Sequence, residues 1–297
     1  MSTSVQKVLS KEQLLKRFWL KGKSYHSRSD VFISKYKNKI IVIKYGGYAL
    51  TKSQLVKSFA RNIVLLSSVG IKVIVVHGGG PQIEKELKKR KIQDREYQGL
   101  RITTKKILAI VKNILARQLN TMILNEINKY GGNAKSINGI NTKIIKARFI
   151  MGGKLGFVGE PTKLDKKYLN KLLAKGIVPI ISPIGYDNKN NSYNINADTA
   201  AGFIAESLKA QRLLLLTDVA GVLDKDRKLI VELNHKKAFE YIKKGTIKGG
   251  MIPKIKACFN TLRKGAKGVA LIDGRKPDAV LMELLTKKGA GTLIKKK

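Results

Sequence analysis

The sequence contains two glycine turns that each follow an apolar stretch: KYGG at residues 44–47 and HGGGP at residues 77–81. Because glycine has no Cβ atom, the backbone N–H groups of such turns can approach the oxygens of a phosphate or a carboxylate closely. A helix that begins at the turn adds its positive N-terminal end. Neither turn has the spacing of a P-loop or of the GxGxxG dinucleotide motif. Together they predict an anion-binding site of another kind.

Three charged residues are candidates for chemistry beside these turns. Lys44 immediately precedes the first pair of glycines, and Lys254 follows the glycine-containing segment KGGMIP at 248–253. Either lysine would bring positive charge to a bound anion. Asp198 precedes a predicted helix over residues 199–208, where an N-cap is the ordinary role of an aspartate.

The sequence does not indicate the commoner catalytic and metal-binding sets. Its one cysteine, Cys258, excludes a disulfide within the chain and a cysteine-built metal site. The three histidines, His26, His77 and His235, have no ligand spacing. No Ser–His–Asp set and no paired-carboxylate motif is apparent, so we expect no protein-built metal site.

The elements that must position these residues follow an α/β pattern. Continuous apolar runs at 40–45, 71–77, 177–182, 213–217 and 269–272 predict buried strands, and helical spacing predicts helices at 53–68, 81–90, 106–130 and 253–263. Unbroken apolar strands separated by helices predict a mostly parallel sheet covered on both faces, a three-layer α/β sandwich. Open sheets of this kind bind ligands at the carboxyl ends of their strands, where both glycine turns lie.

The first 38 residues differ from the rest, and we interpret them as an N-terminal helix and a linker. Residues 8–20 have amphipathic helical spacing, and residues 21–38 are read as a tether. We predict two lobes, at 39–190 and 191–297, joined near a segment at 179–196 that is read as loop-rich.

The composition is strongly basic, with 60 Lys and Arg against 20 Asp and Glu and a formal net charge of +40 over 297 residues. A nucleic-acid-binding protein is one explanation. The lysines are scattered and aromatic residues are only 6%, so we favour biased composition with lysine on solvated faces. The apolar runs are shorter than a membrane span, and residues 1–10 show no signal-peptide core. We therefore expect no membrane association.

An ordered set of segments resembles the amino acid kinase family, and within it the members that phosphorylate acetylglutamate. The matching segments are VIKYGGYAL at 42–50, VIVVHGGGPQIEKEL at 73–87, YQGLRIT at 97–103, LGFVGEPTKLD at 155–165, NINADTAAGFIA at 194–205, LLLLTDVAGVLD at 213–224, IKGGMIPKIKA at 247–257 and IDGRKPDAVLMELLTKKGAGTLI at 272–294. The resemblance covers residues 39–297, and GLR followed by GFVGE indicates acetylglutamate as the substrate.

The resemblance implies that ATP phosphorylates the side-chain carboxylate of N-acetyl-L-glutamate in arginine biosynthesis, with Mg²⁺ carried on the nucleotide phosphates. It implies catalytic roles for Lys44, Lys254, Asp198 and Gly47, with Asp198 holding the two lysines. It implies that the substrate is bound by Gly79, Gly80, Arg101 and Asn194. It implies that ATP is bound by Thr217, Asp218, Val219, Gly221, Leu223, Gly249 and Met251.

The resemblance also implies an assembly. Relatives with an N-terminal helix form dimers or hexameric rings, are inhibited by arginine at positions that match Glu283 and Gly289, and in some lineages bind a PII-type signalling protein. Here Ala270 stands where arginine-inhibited relatives commonly have histidine, so we expect arginine inhibition to be weak or absent.

Two further departures from the family pattern are Gln98, where Asn or Asp is usual, and Thr104, where Asp is common.

The alternatives to this function are a kinase of an aminoadipate derivative and, in a different class, a basic nucleic-acid-binding protein. We expect a cytoplasmic protein, or a plastid stromal one if the gene is organellar.

Overall fold

The computed structural model of the protein describes residues 28–296, which form an α/β fold around an eight-stranded sheet. The α-helices are α1 (Arg28–Tyr36), α2 (Ser53–Ser68), α3 (Gly80–Lys89), α4 (Lys105–Lys112), α5 (Asn120–Lys129), α6 (Lys166–Ala174), α7 (Ala197–Ser207), α8 (His235–Lys243), α9 (Met251–Arg263) and α10 (Ala279–Leu285). Short 3₁₀ helices cover Gly47–Thr51 and Met151–Gly153, and a π-helical segment, Asn113–Leu119, joins α4 to α5.

The strands are β1 (Ile40–Tyr45), β2 (Lys72–His77), β3 (Glu96–Tyr97), β4 (Leu100–Arg101), β5 (Ala134–Ile137), β6 (Ile145–Phe149), β7 (Gly159–Leu164), β8 (Val178–Ile181), β9 (Ile184–Tyr186), β10 (Ser192–Asn194), β11 (Arg212–Thr217), β12 (Glu232–Leu233), β13 (Val269–Asp273) and β14 (Gly291–Ile294). The central sheet has the order β12-β14-β13-β11-β1-β2-β8-β5, and its pairs are parallel except β13 with β14.

The two faces of the central sheet pack into two separate apolar cores. Ile41 and Ile43 of β1 lie in one core, with buried residues of α2, α5 and α10. Val42, between them, lies in the other core, with buried residues of α6, α7 and α9. Successive side chains of a strand point to opposite faces, so a strand that is apolar at every position needs cover on both sides. The predicted three-layer α/β fold is confirmed.

A second, four-stranded sheet was not predicted. Its order is β10-β9-β6-β7. The reading of residues 179–196 as loop-rich was wrong, because β9 and β10 pair as an antiparallel hairpin within it. The strands are three residues each and carry Gly, Asn and Ser, so their composition resembled a loop. The hairpin matters for function because β10 ends at Asn194.

The long helix predicted over residues 106–130 is confirmed at 105–129, with the π-helical segment in its middle. This helix is long and apolar enough, by length and composition alone, to cross a membrane. More than half of its apolar window is buried inside the protein, where Val111, Ile123 and Ile127 lie in the first core. A buried core helix passes the same test, so this feature is weak evidence for a membrane span.

The interpretation of residues 21–38 as a tether was wrong over its second half. Helix α1 begins at Arg28, and its residues Ile33 and Tyr36 are buried in the first core. These two buried residues are three positions apart and, with Phe32 packed beside them, form a narrow apolar stripe. The rest of the segment is mostly polar, so its composition did not indicate a helix. The predicted helix over residues 8–20 lies outside the described residues.

Two departures from the family pattern have local explanations. The side chain of Thr104 accepts a hydrogen bond from the Ile107 N–H and caps α4, a role that Asp performs equally well. Gln98 has a φ of 50° and, with Gly99, forms the turn of the β3–β4 hairpin. Asn and Asp tolerate this left-handed conformation better than Gln does, which explains why they suit this position.

Candidate active site

The two glycine turns meet at the carboxyl edge of the central sheet. Strands β1 and β2 are adjacent and parallel, with Tyr45 opposite His77. The Gly78 N–H donates to the Tyr45 carbonyl at 2.8 Å. A Cβ on Gly46 would lie 3.2 Å from the Cα and N of Gly78, so the turns touch through their backbones. A side chain at residue 46 would press on the backbone of the second turn, so glycine suits this close approach.

Asp198 lies between the two candidate lysines. Its Oδ1 forms an ion pair with Lys44 Nζ at 3.0 Å, and its Oδ2 accepts a hydrogen bond from Lys254 Nζ at 3.2 Å. The three side chains come from the end of β1, the first turn of α7 and the first turns of α9. Asp198 is not the N-cap of its helix, which was the ordinary reading of this position. Asn196 is the cap, because its Oδ1 accepts from the N–H groups of Asp198 and Thr199.

The lysine pair keeps Asp198 ionised. Burial raises the pKa of this carboxyl, but the positive charges of Lys44 and Lys254 outweigh that effect and hold its pKa below the ordinary value. Two cations share one carboxylate, so the group keeps a net positive charge. It can therefore attract a further anion.

Arg101 lies at the end of the β3–β4 hairpin, where its guanidinium is held by Asp94. Arg101 Nε donates to Asp94 Oδ1 at 2.7 Å and Nη2 donates to Asp94 Oδ2 at 2.9 Å. Glu96 lies 3.9 Å from the same nitrogen, Nη2. One edge of the guanidinium is thus occupied within the protein, and the Nη1 group remains for a ligand.

Asn194 is tied to the same hairpin region. Its Nδ2 donates to Thr103 Oγ1 at 3.1 Å, and its backbone N–H donates to the Phe157 carbonyl at 2.9 Å. These bonds connect the second sheet to the segment that follows Arg101. Two residues that are distant in sequence are thereby brought to one wall.

These residues surround one cavity of about 260 Å³. Its lining includes Lys44, Gly47, Gly79, Gly80, Arg101 and Asn194. The four predicted substrate-binding residues therefore lie together, with two of the predicted catalytic residues. Asp198 and Lys254 line a neighbouring cavity of about 570 Å³ between α7 and α9.

The predicted nucleotide-binding residues occupy two places near this edge. Thr217 is the last residue of β11, which pairs with β1, and Asp218, Val219, Gly221 and Leu223 follow it. Val219 and Leu223 are exposed, whereas Thr217 is buried and its hydroxyl donates to the Val219 carbonyl.

The second place is the start of α9, where Gly249 and Met251 lie. The helix begins at Met251, two residues earlier than predicted, and it carries Lys254. Gly249 has a φ of 54°, a conformation that suits glycine.

The predicted regulatory residues, Glu283 and Gly289, line a separate cavity of about 150 Å³. Its other walls include Phe32 and Tyr36 of α1. Glu283 Oε2 accepts from the Ala290 N–H at 2.8 Å, and burial raises the pKa of this carboxyl. Ala270 is fully buried in the first core.

Sequence reasoning missed several residues of the site. Asn196 lines the cavity and caps α7, and Asn two positions before Asp198 is an ordinary capping signal that could have indicated it. No sequence signal distinguished Asp94, because its role depends on the hairpin that brings Arg101 back to it. Within residues 28–296, no three His, Cys, Asp or Glu side chains are grouped so as to hold a metal ion.

The sequence has clear relatives among known proteins. It is 43% identical over 289 residues to acetylglutamate kinase of Rhodospirillum rubrum, an alignment that covers 93% of each chain. It is 44% identical over 276 residues to acetylglutamate kinase of Gluconobacter oxydans, with 89% of this chain and 94% of the relative covered.

Solved structures with the same fold are more distant. N-acetylglutamate synthase from Neisseria gonorrhoeae, complexed with coenzyme A and N-acetyl-glutamate, matches with a TM-score of 0.83 at 22% identity, covering 93% of this chain and 64% of the synthase chain. This chain therefore spans less than two thirds of that structure. Carbamate kinase from Giardia lamblia matches with a TM-score of 0.62 at 17% identity, covering 88% and 99% of the two chains.

The sequence model of the amino acid kinase family matches residues 39–273, which include both glycine turns, both lysines and Asp198. With the relatives above, this match establishes that the chain belongs to the amino acid kinase family.

Proposed function

We propose that this protein transfers the terminal phosphoryl group of ATP to the side-chain carboxylate of N-acetyl-L-glutamate, a step of arginine biosynthesis. The observation that carries the proposal is the ion-paired group of Lys44, Asp198 and Lys254 beside a cavity lined by Arg101, Asn194 and the second glycine turn. The identity of 43–44% to acetylglutamate kinases over about nine tenths of the chain supports the choice of substrate.

The cavity fits a small dicarboxylate derivative. Arg101 presents the unused edge of its guanidinium to the α-carboxylate, and a guanidinium can hold a carboxylate through two parallel bonds. Asn194 offers both a donor and an acceptor to the acetamido group. Gly79 and Gly80 lie at the N-terminus of α3, whose first turn adds partial positive charge for the reacting carboxylate.

The nucleotide lies, in this proposal, across the ends of β11 and α9. Thr217, Asp218, Val219, Gly221 and Leu223 bind it from one side, and Gly249 and Met251 bind it from the other. Its terminal phosphate then reaches Lys44, Lys254 and the N–H of Gly47.

The chemistry needs no general base, because a carboxyl with an ordinary pKa near 4.3 is already ionised at neutral pH. A carboxylate oxygen of the substrate forms a bond to the γ-phosphorus while the bond from that phosphorus to the β–γ bridging oxygen breaks, and ADP leaves with the electron pair. The barrier comes from bringing two anions together. Lys44 and Lys254 lower it by neutralising charge around the transferring group, and Asp198 keeps both ammonium groups in position.

Mg²⁺ fits this arrangement as an ion carried by the nucleotide. In phosphoryl-transfer sites it is bound by one or two carboxylates, several waters and the substrate phosphates. Asp218 places a carboxylate here, since a Cβ on Gly47 would lie 3.0 Å from Asp218 Oδ1. Such a site has few protein ligands, and an ion held there would neutralise negative charge on the nucleotide phosphates.

We also propose how the chain is divided into lobes, how it assembles and where it is located. Residues 39–190 form the acetylglutamate lobe and residues 191–297 the ATP lobe. The helix predicted over residues 8–20 mediates assembly into a dimer or hexamer, arginine is a weak ligand of the Glu283 cavity, and a PII-type protein is a candidate partner. The location is the cytoplasm, or the plastid stroma for an organellar gene.

The function is tested by a coupled ADP-release assay with ATP and a panel of carboxylates. The panel contains N-acetylglutamate, N-acetylaminoadipate, glutamate, aspartate and bicarbonate with ammonia. The proposal expects N-acetylglutamate to have the highest kcat/KM. A higher value for N-acetylaminoadipate, which has one more methylene group, would assign the chain to the alternative kinase.

A further inference from the structure

A buried polar cluster lies beneath the second glycine turn. It consists of His77, Asn120 and Ser182, whose residues are 0–1% exposed. His77 ends β2, Ser182 follows β8, and Asn120 begins α5 immediately after the π-helical segment. The proposed reaction uses none of the three. A buried polar group costs free energy unless it is hydrogen-bonded, and among the described residues only Asn120 Oδ1 of this cluster has no hydrogen-bond partner.

The contacts assign the proton of the imidazole. His77 Nδ1 lies 3.1 Å from the carbonyl oxygen of Gly78. A carbonyl oxygen only accepts hydrogen bonds, so Nδ1 carries the proton and donates it. Burial lowers the pKa of His77 to about 4, so the ring is neutral at neutral pH and Nε2 has no proton. Nε2 therefore accepts.

The side chains of Asn120 and Ser182 supply the hydrogen-bond donors that Nε2 requires as an acceptor. Asn120 Nδ2 lies 3.2 Å and Ser182 Oγ lies 3.1 Å from Nε2. The amide of Asn120 is itself oriented, because its Nδ2 donates to the Ile180 carbonyl at 2.8 Å. Ser182 Oγ also lies 3.2 Å from the carbonyl of Leu115 in the π-helical segment. The cluster thus connects the sheet, the long helix and the glycine turn.

The hydrogen bond from His77 constrains the peptide that joins Gly78 to Gly79. The described residues contain no cis peptide bond, and a trans peptide directs its C=O and N–H to opposite sides. With the Gly78 carbonyl held toward His77, the Gly79 N–H is directed away from the cluster. Over residues 28–296 this N–H has no protein acceptor, and Gly79 lines the 260 Å³ cavity.

The packing of Gly79 supports the same orientation. A Cβ on Gly79 would lie 2.6 Å from Leu115 Cδ2 and 2.6 Å from Leu119 Cδ1. The π-helical segment therefore closes one side of the turn while His77 holds the other. The turn is thus in contact with protein groups on both of these sides.

We infer that His77 is a positioning residue, whose Nδ1–H holds the Gly78 carbonyl so that the Gly79 N–H donates to the anion at the reacting centre. This inference rests on the proposed kinase function. It predicts that a side chain able to replace the Nδ1–H donor retains activity, whereas one that replaces only Nε2 does not.

Two variants separate these cases, because the amide nitrogen of Asn can occupy the place of Nδ1 and that of Gln the place of Nε2. We expect His77→Asn to keep kcat within about tenfold of the wild type. We expect His77→Gln to lose about 10²–10³ in kcat, the cost of a misplaced backbone donor, with much smaller changes in both KM values. Both are compared at equal folded concentration, measured by thermal unfolding. Equal activity of the two variants, or losses that simply follow their stabilities, would overturn the inference.

Ser182→Ala is the matched control. It removes one neighbour of Nε2 but leaves the Asn120 donor, so the tautomer is unchanged. We expect lower stability with kcat near the wild-type value. A loss of kcat as large as that of His77→Gln would show that any damage to the cluster disables the enzyme, and would overturn the specific role of Nδ1.

A measurement without activity keeps this test separate from that of the proposed function. Nitrogen-NMR spectra of isotope-labelled histidine distinguish the two neutral tautomers, and the chain has only three histidines. The His77 signal, assigned by its loss in His77→Asn, is expected from a neutral ring protonated at Nδ1 at neutral pH. A ring protonated at Nε2 overturns the inference whatever the substrate proves to be. Absence of kinase activity in the wild type, with the Nδ1–H tautomer present, would instead reject the proposed function.

Discussion

Arg101 donates two parallel hydrogen bonds to the carboxylate of Asp94, seven residues earlier in the chain, at 2.7 and 2.9 Å. The side chain of Arg101 is 12% exposed, so this is a partly buried pair and not a surface contact. The two bonds fix the plane of the guanidinium, and Arg101 lines the cavity of about 260 Å³. The proposed substrate site thus depends on a residue that does not line it.

Replacing Arg101 with Lys removes the planar fork that recognises a carboxylate. We expect KM for N-acetylglutamate to rise and KM for ATP to change little. The loss in kcat/KM should correspond to one charge-assisted interaction of about 1.5–3 kcal/mol, roughly ten- to a hundredfold. Asp94→Asn keeps the shape of the side chain but weakens its hydrogen bonds to Arg101. We therefore expect a smaller rise in KM for N-acetylglutamate in this variant.

Steady-state kinetics with each substrate varied in turn provide the measurement. Arg90→Lys is a suitable control, because Arg90 pairs with Glu86 on the exposed surface of α3. Equal effects of Arg101→Lys on the two KM values would mean that Arg101 does not contact N-acetylglutamate.

Lys44→Ala and Lys254→Ala test the positive charge at the transferring phosphoryl group. Each variant removes one of the two cations that neutralise the developing charge. We expect kcat to fall by about 10²–10³ with smaller changes in KM. Lys88→Ala, which removes an exposed lysine of α3, controls for the general positive charge of the protein. Near-native turnover of Lys44→Ala would reject its role.

Asp198→Asn tests the carboxylate that joins the two lysines. We expect activity to collapse because both ammonium groups lose the partner that positions them. Asp165→Asn provides the contrast, because Asp165 is a helix cap whose side chain accepts from the Tyr168 N–H. Asn caps helices about as well as Asp, so that variant should lose less than about 1 kcal/mol of stability and keep its activity. Retained activity in Asp198→Asn would contradict the proposed mechanism.

The same carboxylate predicts a pH dependence of stability. The pKa of Asp198 is lower in the folded protein than its ordinary value, so its ionised form favours folding. This contribution is complete above the ordinary carboxyl pKa of about 4 and is lost as the pH falls through the lower pKa of the folded state. The difference in unfolding free energy between wild type and Asp198→Asn should therefore shrink on acidification. A difference independent of pH would show that the ion pairs do not contribute.

Arginine is expected to inhibit weakly or not at all. Among the described residues, the cavity that contains Glu283 and Gly289 is lined by four cationic residues, two anionic ones and no histidine. The cationic residues are Lys35, Arg212, Lys287 and Lys288, and the anionic ones are Glu232 and Glu283. A guanidinium ligand would meet net positive charge there. Titration of the full chain with arginine checks this, and strong inhibition at micromolar arginine would contradict it.

The sequence alone determined the layers of the fold and the types of residue in the site. All positions of β1 except Lys44 are apolar or aromatic, and the four positions of β2 between Lys72 and His77 are apolar, so these strands had to be buried on both faces. The position of Lys44 and of both glycine turns at strand ends followed directly. The ordered motifs also predicted which residues would form the site, including Asp198 and Arg101, before any distance was known.

The tertiary structure decided how those residues are held. Asp198 reads as a helix cap in the sequence, and only the packing of α7 against β1 and α9 brings its carboxylate to both lysines while Asn196 takes the cap. Asp94, Asn120 and Ser182 carry no motif that distinguishes them from ordinary loop and core residues, and the glycine turn that contains His77 does not indicate the contacts of its imidazole. Their contacts join elements up to about a hundred residues apart, as between His77 and Ser182, separated by 105 positions. Local patterns cannot encode such pairs, because they form only when the sheet orders its strands differently from the chain.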